Sequence, residues 1–315
     1  MISIMFLSLS YGSVYISFHD VFGYFFSEIE QANRMTQVII SDVRLPRFFL
    51  AIMVGAGLAM SGVLLQTATK NDLADPFLFG LSAGASAGAV LVITRFGSIF
   101  GQWTLPAAAF VGGIISSISV ILLFNFQKDK GVERLILSGL AVSFLFTAIT
   151  SYLVYTGDQR SASTILFWSM GGLGLARWDN LIFALFGVVV LVVLVILRWR
   201  SFDAMLVDEE TSNSLGVNVK RIRLIIFITT AIATSTFVSL TGVIGFIGLI
   251  VPHLAKPFSG VSHRYLIPLS AFIGAAVLAL SDLISRTIIE GQELPVGLVT
   301  SAIGGLFVLF FVLKK

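Results

Sequence analysis

Long apolar runs without a charged residue dominate this chain and decide which folds are open to it. The segment 181–197, for example, contains no Asp, Glu, Lys or Arg. A helix needs about 20 apolar residues to cross the hydrocarbon core of a bilayer, whereas membrane β-strands are segments of about 10 residues that alternate in polarity. Only 12% of the residues are charged, against about 25% in soluble domains. The sequence therefore predicts an all-α membrane protein.

Ten segments have the apolar character of membrane helices, and we expect them to form a single transmembrane domain over residues 1–315. The predicted helices are 2–11, 48–67, 77–94, 105–126, 135–155, 180–198, 222–240, 243–254, 266–289 and 296–313. The first is too short to span a bilayer, and a glycine-rich stretch at 163–175 is expected to lie at the surface or to re-enter. Lys and Arg are more frequent in the loops that are cytoplasmic if both termini are inside. This pattern predicts a polytopic protein of the bacterial cytoplasmic (inner) membrane, with about ten transmembrane helices and cytoplasmic termini.

Several kinds of chemistry have no basis in the sequence. No Gly-Lys pair occurs, so a P-loop for nucleotide binding is excluded. The chain has no Cys, and its three His residues are scattered without the spacing of metal ligands. No basic run of the kind that binds nucleic acid occurs either. We therefore expect no enzymatic activity, no metal, no cofactor and no nucleic-acid partner.

The longest interior polar connection, at about 199–222, carries a short helix signal. Asp208, Glu209 and Glu210 stand where negative charge favours the first turn of a helix. Gly216 is a suitable residue for ending it. The segment is either a solvated connector or a docking surface for a cytoplasmic partner, and the residues alone leave both interpretations open.

Three arginines lie in the loops predicted to face outwards, against the usual charge bias. Arg44 and Arg47 flank a proline at a membrane edge, and Arg286 reaches the same face from the far end of a predicted helix. They indicate a contact with an anion or carboxylate, or anchoring to lipid headgroups. Asp282 lies four residues before Arg286, on one helix face. A structural ion pair is the favoured interpretation of Asp282, and a proton or sodium relay is the alternative.

A polar stripe follows the predicted helix 135–155. Its members recur at intervals of three and four residues, which places them on one face; they are Ser143, Thr147, Thr150 and Ser151. Hydroxyl groups facing lipid would gain nothing. The stripe therefore predicts either contact between helices or the lining of a translocation path.

Taken in order, eight segments of the chain resemble one transporter family. They are 44–47 (Arg-Leu-Pro-Arg), 55–66, 71–76, 80–85, 167–172, 215–217, 242–253 and 293–297. This series, in this order and spacing, is similar to the permease subunits of ATP-binding-cassette importers for iron–siderophores, haem and vitamin B12. The resemblance extends from about residue 12 to the C-terminus.

The resemblance implies a ten-helix permease in the bilayer that pairs with a second copy or a close paralogue. It implies two cytoplasmic ATPase subunits beneath and an extracytoplasmic substrate-binding protein outside. The coupling surface to the ATPase would be formed by Asp208, Glu209, Glu210, Leu215, Gly216 and Val217. Docking of the binding protein would use Arg44, Arg47 and Arg286, and the stripe Ser143, Thr147, Thr150 and Ser151 would line the path. The segment 160–177 would contain an extra helix near the outer gate.

The expected cargo by this resemblance is an iron(III)-siderophore-type substrate, although haem, cobalamin and oxyanions use the same architecture. Two other functions compete with the importer. An ion-coupled secondary transporter predicts several intramembrane acids and broken helices near the midplane, and Asp282 is the clearest such acid. An intramembrane enzyme needs a nucleophile and base, or metal ligands, within the spans, and the sequence offers neither.

Overall fold

The computed structural model describes residues 1–26, 34–97, 99, 101–126, 131–158, 161–289 and 291–313. No strand occurs among these residues. The α-helices are α1 (Ile2–Ser10), α2 (Phe18–Phe26), α3 (Arg34–Val38), α4 (Leu45–Thr69), α5 (Leu81–Leu91), α6 (Thr104–Asn125), α7 (Val132–Tyr155), α8 (Ser161–Ser169), α9 (Trp178–Ala204), α10 (Glu209–Ser214), α11 (Val219–Thr241), α12 (Ile247–Ser259), α13 (His263–Thr287) and α14 (Val296–Leu313). Two π-helical turns, Ile39–Arg44 and Val92–Phe96, follow α3 and α5 directly, and 3-10 turns occur at Pro76–Phe79 and Gly101–Trp103.

The predicted all-α membrane architecture is confirmed, but the count of ten spans is not. Within the described part of the chain, six helical segments are long and apolar enough to cross a membrane. They are Arg34–Thr69, Gly101–Asn125, Val132–Tyr155, Trp178–Ala204, Val219–Thr241 and His263–Thr287. Two further apolar helical segments, Leu81–Phe96 and Val296–Phe310, are shorter.

The predicted helix 77–94 begins too early. Gly80 has φ +78°, a left-handed conformation that cannot continue a right-handed helix. The preceding turn, Pro76–Phe79, is a separate 3-10 element. Its cap is the Asp75 carboxylate, which accepts a hydrogen bond of 2.9 Å from the backbone N–H of Phe77. Hydropathy runs through this break unchanged, and so the pattern of apolar residues did not reveal it.

The predicted helix 243–254 also has the wrong limits, because the chain is not helical immediately after α11. Phe246 takes a positive φ of 70°, which is uncommon for a residue with a side chain. Helix α12 begins only after it and continues through two prolines to Ser259. The stretch 242–246 is thus a break between two buried helices.

The N-terminal segment is more helical than its sequence suggested. Helix α1 is short, as predicted, but α2 and α3 lie between the predicted helices 2–11 and 48–67, where no helix was predicted. Leu9, Ile16, Val21 and Ile40 form a small buried cluster between these elements. This cluster holds α1 and α2 against the start of α4.

Helix α4 lies at the centre of the bundle and packs against α9, α11, α12 and α13. At its crossing with α12, a Cβ atom placed on Gly62 would lie 1.9 Å from the carbonyl oxygen of Gly248. Two helices can approach this closely only where neither residue has a side chain in between. The small residues of the predicted helix 48–67 therefore set the packing distance in the core.

Helix α7 is the least covered of the long helices. Its exposed side chains include Phe144, Leu145, Tyr152 and Tyr155. An apolar face of this size on a membrane-spanning helix must contact lipid or another protein chain.

Candidate functional site

Helix α10 forms in the polar connection where the sequence predicts a short helix. Asp208 is the N-cap, and its carboxylate accepts hydrogen bonds of 2.8 Å from both the backbone N–H and the hydroxyl of Thr211. These hydrogen bonds lower the pKa of Asp208. Glu209 and Glu210 occupy the first turn, where their negative charges interact favourably with the positive end of the helix dipole. After the helix, Gly216 has φ +79°, the conformation expected of a helix-ending glycine.

Contacts with α9 and α11 hold α10 against the bundle, and Arg223 links α11 onward to α4. The Ser212 hydroxyl donates a hydrogen bond of 2.8 Å to the carbonyl oxygen of Ala204, at the end of α9. Arg223 of α11 lies 3.6 Å from the Glu209 carboxylate and also donates to the carbonyl oxygen of Ala68 in α4. Helix α10, which has six residues, is therefore tied to the bundle through Glu209 and Ser212.

The turn that follows α10 exposes an apolar residue. Leu215 is 66% exposed and precedes the positive-φ glycine. Val217 is partly covered, and its backbone N–H donates to the carbonyl oxygen of Ser212. The turn after α10 therefore presents an exposed leucine next to a positive-φ glycine.

At the opposite end of α4, the three arginines Arg44, Arg47 and Arg286 are buried rather than exposed. The Arg47 Nε donates to Asp282 Oδ1 at 2.8 Å, and its Nη1 donates to Glu293 Oε2 at 2.7 Å. Arg286 lies 3.0 Å from the other oxygen of Asp282. The favoured interpretation of Asp282, a structural ion pair, is confirmed. Because both of its oxygens are engaged by arginines, the relay alternative has no support.

Arg44 and Arg286 hold the end of α1. Arg44 donates to the backbone carbonyl oxygens of Leu9 and Val14. Arg286 donates to the Ser8 hydroxyl at 2.8 Å and to the carbonyl oxygen of Tyr11 at 3.3 Å. The last carbonyl groups of a helix lack intrahelical partners and carry partial negative charge. The two arginines satisfy them, which explains how a helix too short to span is fixed at this end of the bundle.

The arginines were predicted from the sequence to be surface groups, and here the structure differs. Arg44, Arg47 and Arg286 are each no more than 6% exposed. The physical reason is that α1 and the segment 291–295 cover them. None of the three guanidinium groups is freely exposed to a partner.

A cavity of about 520 Å³ lies next to Arg47. Its wall includes Arg47, Glu293, the α8 residues Ser163 and Thr164, and the indole of Trp168. Helix α8 lies within the segment 160–177 predicted to hold an extra helix, although it ends at Ser169. The remainder of that segment, from 170 to 177, is a loop against the same cavity.

The polar stripe on α7 is divided between two environments. Ser143 and Thr150 are partly buried, and each donates to a backbone carbonyl one turn earlier, at 2.8 and 2.9 Å. Thr147 and Ser151 are exposed on the uncovered face described above. This division leaves both predicted roles, helix contact and path lining, available to the stripe.

Sequence reasoning missed one polar contact that joins three helix ends. His263 Nδ1 lies 2.7 Å from Asp203 Oδ1, and His263 Nε2 lies 2.6 Å from the Thr67 hydroxyl. The three residues belong to α13, α9 and α4. No local pattern could reveal them, because Asp203 and His263 are 60 residues apart. The contact fixes the end of α9 from which the α10 segment projects.

The fold defines a class: a polytopic all-α membrane protein with the short polar helix α10 at one end and a buried arginine cluster at the other. Residues 1–314 match the FecCD transport family. The chain belongs to this family, and it is the permease subunit of an ABC importer. The resemblance noted in the sequence is thereby confirmed.

Relatives with different cargo names are similar along most of the chain. The hemin transport permease of Yersinia pestis is 36% identical, over 87% of this chain and 83% of its own length. The cobalamin import permease of Halobacterium salinarum is 38% identical, over 87% and 73%. The iron(3+)-hydroxamate import permease FhuG of Bacillus subtilis is 31% identical, over 99% and 93%.

A solved structure of a metal-chelate type ABC transporter in an inward-facing conformation has a similar fold. It is 29% identical, with a TM-score of 0.83, and the match covers 100% of this chain and 96% of that one. The chain is accordingly a multi-pass protein of the cytoplasmic membrane, and as a permease subunit it leaves ATP hydrolysis to separate subunits.

Proposed function

We propose that this chain forms the translocation path for an iron(III)-siderophore-type substrate, which an extracytoplasmic binding protein delivers. Two copies, or one copy and a paralogue, would surround the path, with both termini in the cytoplasm. Two ATPase subunits would bind beneath. The observation that carries the importer assignment is the anchored helix α10. It is tied to the bundle through Glu209 and Ser212 and is followed by the exposed Leu215, whereas a simple connecting loop needs no such contacts.

Alternating access is the mechanism that fits this arrangement. Closure of the ATPases on ATP would move the segment from Asp208 to Val217, which is tied to α9 and α11 and, through Arg223 of α11, to α4. The uncovered face of α7 would meet its counterpart across the path, with Thr147 and Ser151 facing the substrate. Docking on the outer side would involve the surface around Arg44, Arg47 and Arg286.

The proposed coupling of the segment from Asp208 to Val217 to the ATPase is tested by placing a charge at Leu215. We expect Leu215→Asp to lower recovery of the ATPase with the detergent-solubilised permease about tenfold, because an unpartnered carboxylate in an apolar contact is poorly tolerated. Recovery would be measured by quantitative mass spectrometry after affinity purification.

The matched control is Val261→Asp, which places the same charge on an exposed apolar residue between α12 and α13. This variant should retain the ATPase. Equal recovery with Leu215→Asp and the wild type would contradict the coupling assignment.

The cargo is tested in proteoliposomes that contain the assembled transporter with its binding protein. We expect ATP-dependent uptake of a ⁵⁵Fe-labelled trihydroxamate chelate at a rate at least about tenfold above that of haem or cobalamin, a ratio of roughly 1.4 kcal/mol in activation free energy. The hydroxamate relative matches nearly the full length of this chain, which supports this choice. Preferential uptake of haem or cobalamin would replace the siderophore assignment and leave the importer intact.

A further inference from the structure

Arg47 has two carboxylate partners that differ sharply in exposure. The side chain of Asp282 is 1% exposed, whereas that of Glu293 is 41% exposed. Both lie within 2.8 Å of the guanidinium group. Asp282 is therefore a permanent, buried counter-ion of Arg47, and Glu293 covers the same group from the solvent side.

The charges around Arg47 do not balance. Among the described residues, the cluster holds three guanidinium groups, those of Arg44, Arg47 and Arg286, and two carboxylates, those of Asp282 and Glu293. Arg44 donates only to backbone carbonyl oxygens. Counted over the part of the chain that the structure describes, these groups carry one more positive than negative charge, and a further carboxylate brought to this surface would be attracted to them.

Glu293 occupies the place at which an incoming carboxylate would pair with Nη1 of Arg47. Arg47 is 6% exposed, and Glu293 stands beside it in the wall of the same cavity. At this nitrogen an external carboxylate would take the position of Glu293, which would turn out into water.

The Glu293 side chain can leave without unfolding its segment. The backbone N–H of Leu294 donates to the carbonyl oxygen of Ser285 at 2.9 Å, and that of Gln292 donates to Ile289 at 3.4 Å. These bonds fix the chain on both sides of Glu293. The cavity of about 520 Å³ next to it supplies room for the departing or the arriving group.

We propose that Glu293 is an exchangeable internal counter-ion of Arg47, which an acidic side chain of the docking extracytoplasmic protein displaces. This inference rests on the proposed function, since it specifies how that partner engages the arginine cluster. It explains why groups suited to bind a carboxylate are buried in the free permease. One ion pair replaces another, so the contact selects for an acidic partner while adding little to its affinity.

The test uses Glu293→Gln, which keeps the shape of the side chain and removes its charge. We expect the partner to bind this variant about tenfold more tightly at low salt, because it no longer competes with an internal carboxylate. The gain should largely vanish at about 0.5 M NaCl, where exposed charges are screened within a few ångströms. The probe is the extracytoplasmic protein that cross-linking captures on the wild-type chain in its native membrane, then purified and titrated against the full transporter in nanodiscs.

Asp179→Asn is the matched control, because Asp179 is exposed in the first turn of α9 and has the same charge. It should leave the dissociation constant unchanged, which excludes a general effect of net charge. An unchanged or larger dissociation constant for Glu293→Gln, with wild-type binding intact, would overturn the exchange. If the wild-type transporter captures no extracytoplasmic protein while still recovering its ATPase, docking itself fails, and the inference fails with it.

Discussion

Replacing Gly62 with alanine is expected to remove most of the folded protein from the membrane. The new Cβ would lie 1.9 Å from the carbonyl oxygen of Gly248 and 2.5 Å from its carbonyl carbon. Both are backbone atoms, so α4 and α12 would have to separate along their crossing. Overpacking of a core costs about 1–3 kcal/mol and occasionally more, and a clash with backbone belongs at the upper end. The yield of monodisperse protein in detergent and its unfolding temperature would report the loss.

Gly305→Ala is the matched control for this substitution. Gly305 lies within α14, and no atom outside its own helix backbone and chain neighbours lies within 4 Å of a Cβ placed there. Alanine favours a helix by up to about 1 kcal/mol over glycine, so this variant should be at least as stable as the wild type. A Gly62→Ala protein with wild-type yield and unfolding temperature would show that the close helix crossing is wrong.

The second large effect is expected for Asp282→Asn. Asp282 is 1% exposed and pairs with both Arg47 and Arg286. Removal of one partner from a buried ion pair costs about 3–5 kcal/mol, because the remaining charge is left uncompensated. Here two guanidinium groups lose their shared counter-ion, and Arg286 would also be less firmly held against α1. We expect a sharply lower unfolding temperature and increased protease cleavage near α1.

Glu293→Gln serves as the comparison for Asp282→Asn, because it removes the same charge from the same arginine. Its side chain is partly in water, where an ion pair contributes only about 0–1 kcal/mol. The unfolding temperature should therefore change far less. Equal destabilisation by the two substitutions would mean that the two carboxylates are not distinguished by burial, contrary to the structure.

Features that depend on a few residues consecutive in the chain could be predicted from the sequence. The acidic start of α10 and the glycine after it are local signals, because capping and left-handed backbone depend on a few consecutive residues. The apolar runs likewise predicted most long helices to within a few residues. The breaks before α5 and α12 were missed because a single positive φ leaves no trace in hydropathy.

Contacts between distant segments were not accessible. Arg47 and Glu293 are 246 residues apart, and no local sequence pattern around either residue indicates that the two form an ion pair. Three outward arginines suggested an exposed surface, whereas the structure covers them with α1 and the segment 291–295. A charged residue beside a proline can be exposed or buried, and only the tertiary partner decides between the two.

Helix α4 reaches both functional ends of the molecule without a loop. Arg47 lies in its first turn, and in its last turns the Ala68 carbonyl accepts from Arg223, which also contacts Glu209 of α10. Its 25 residues span roughly 37 Å at 1.5 Å per residue. An unbroken helix of this kind resists compression along its axis. An axial displacement at the arginine end would therefore be transmitted to the other end of the helix. A partner that shifted either end of α4 would therefore act on the other end as well.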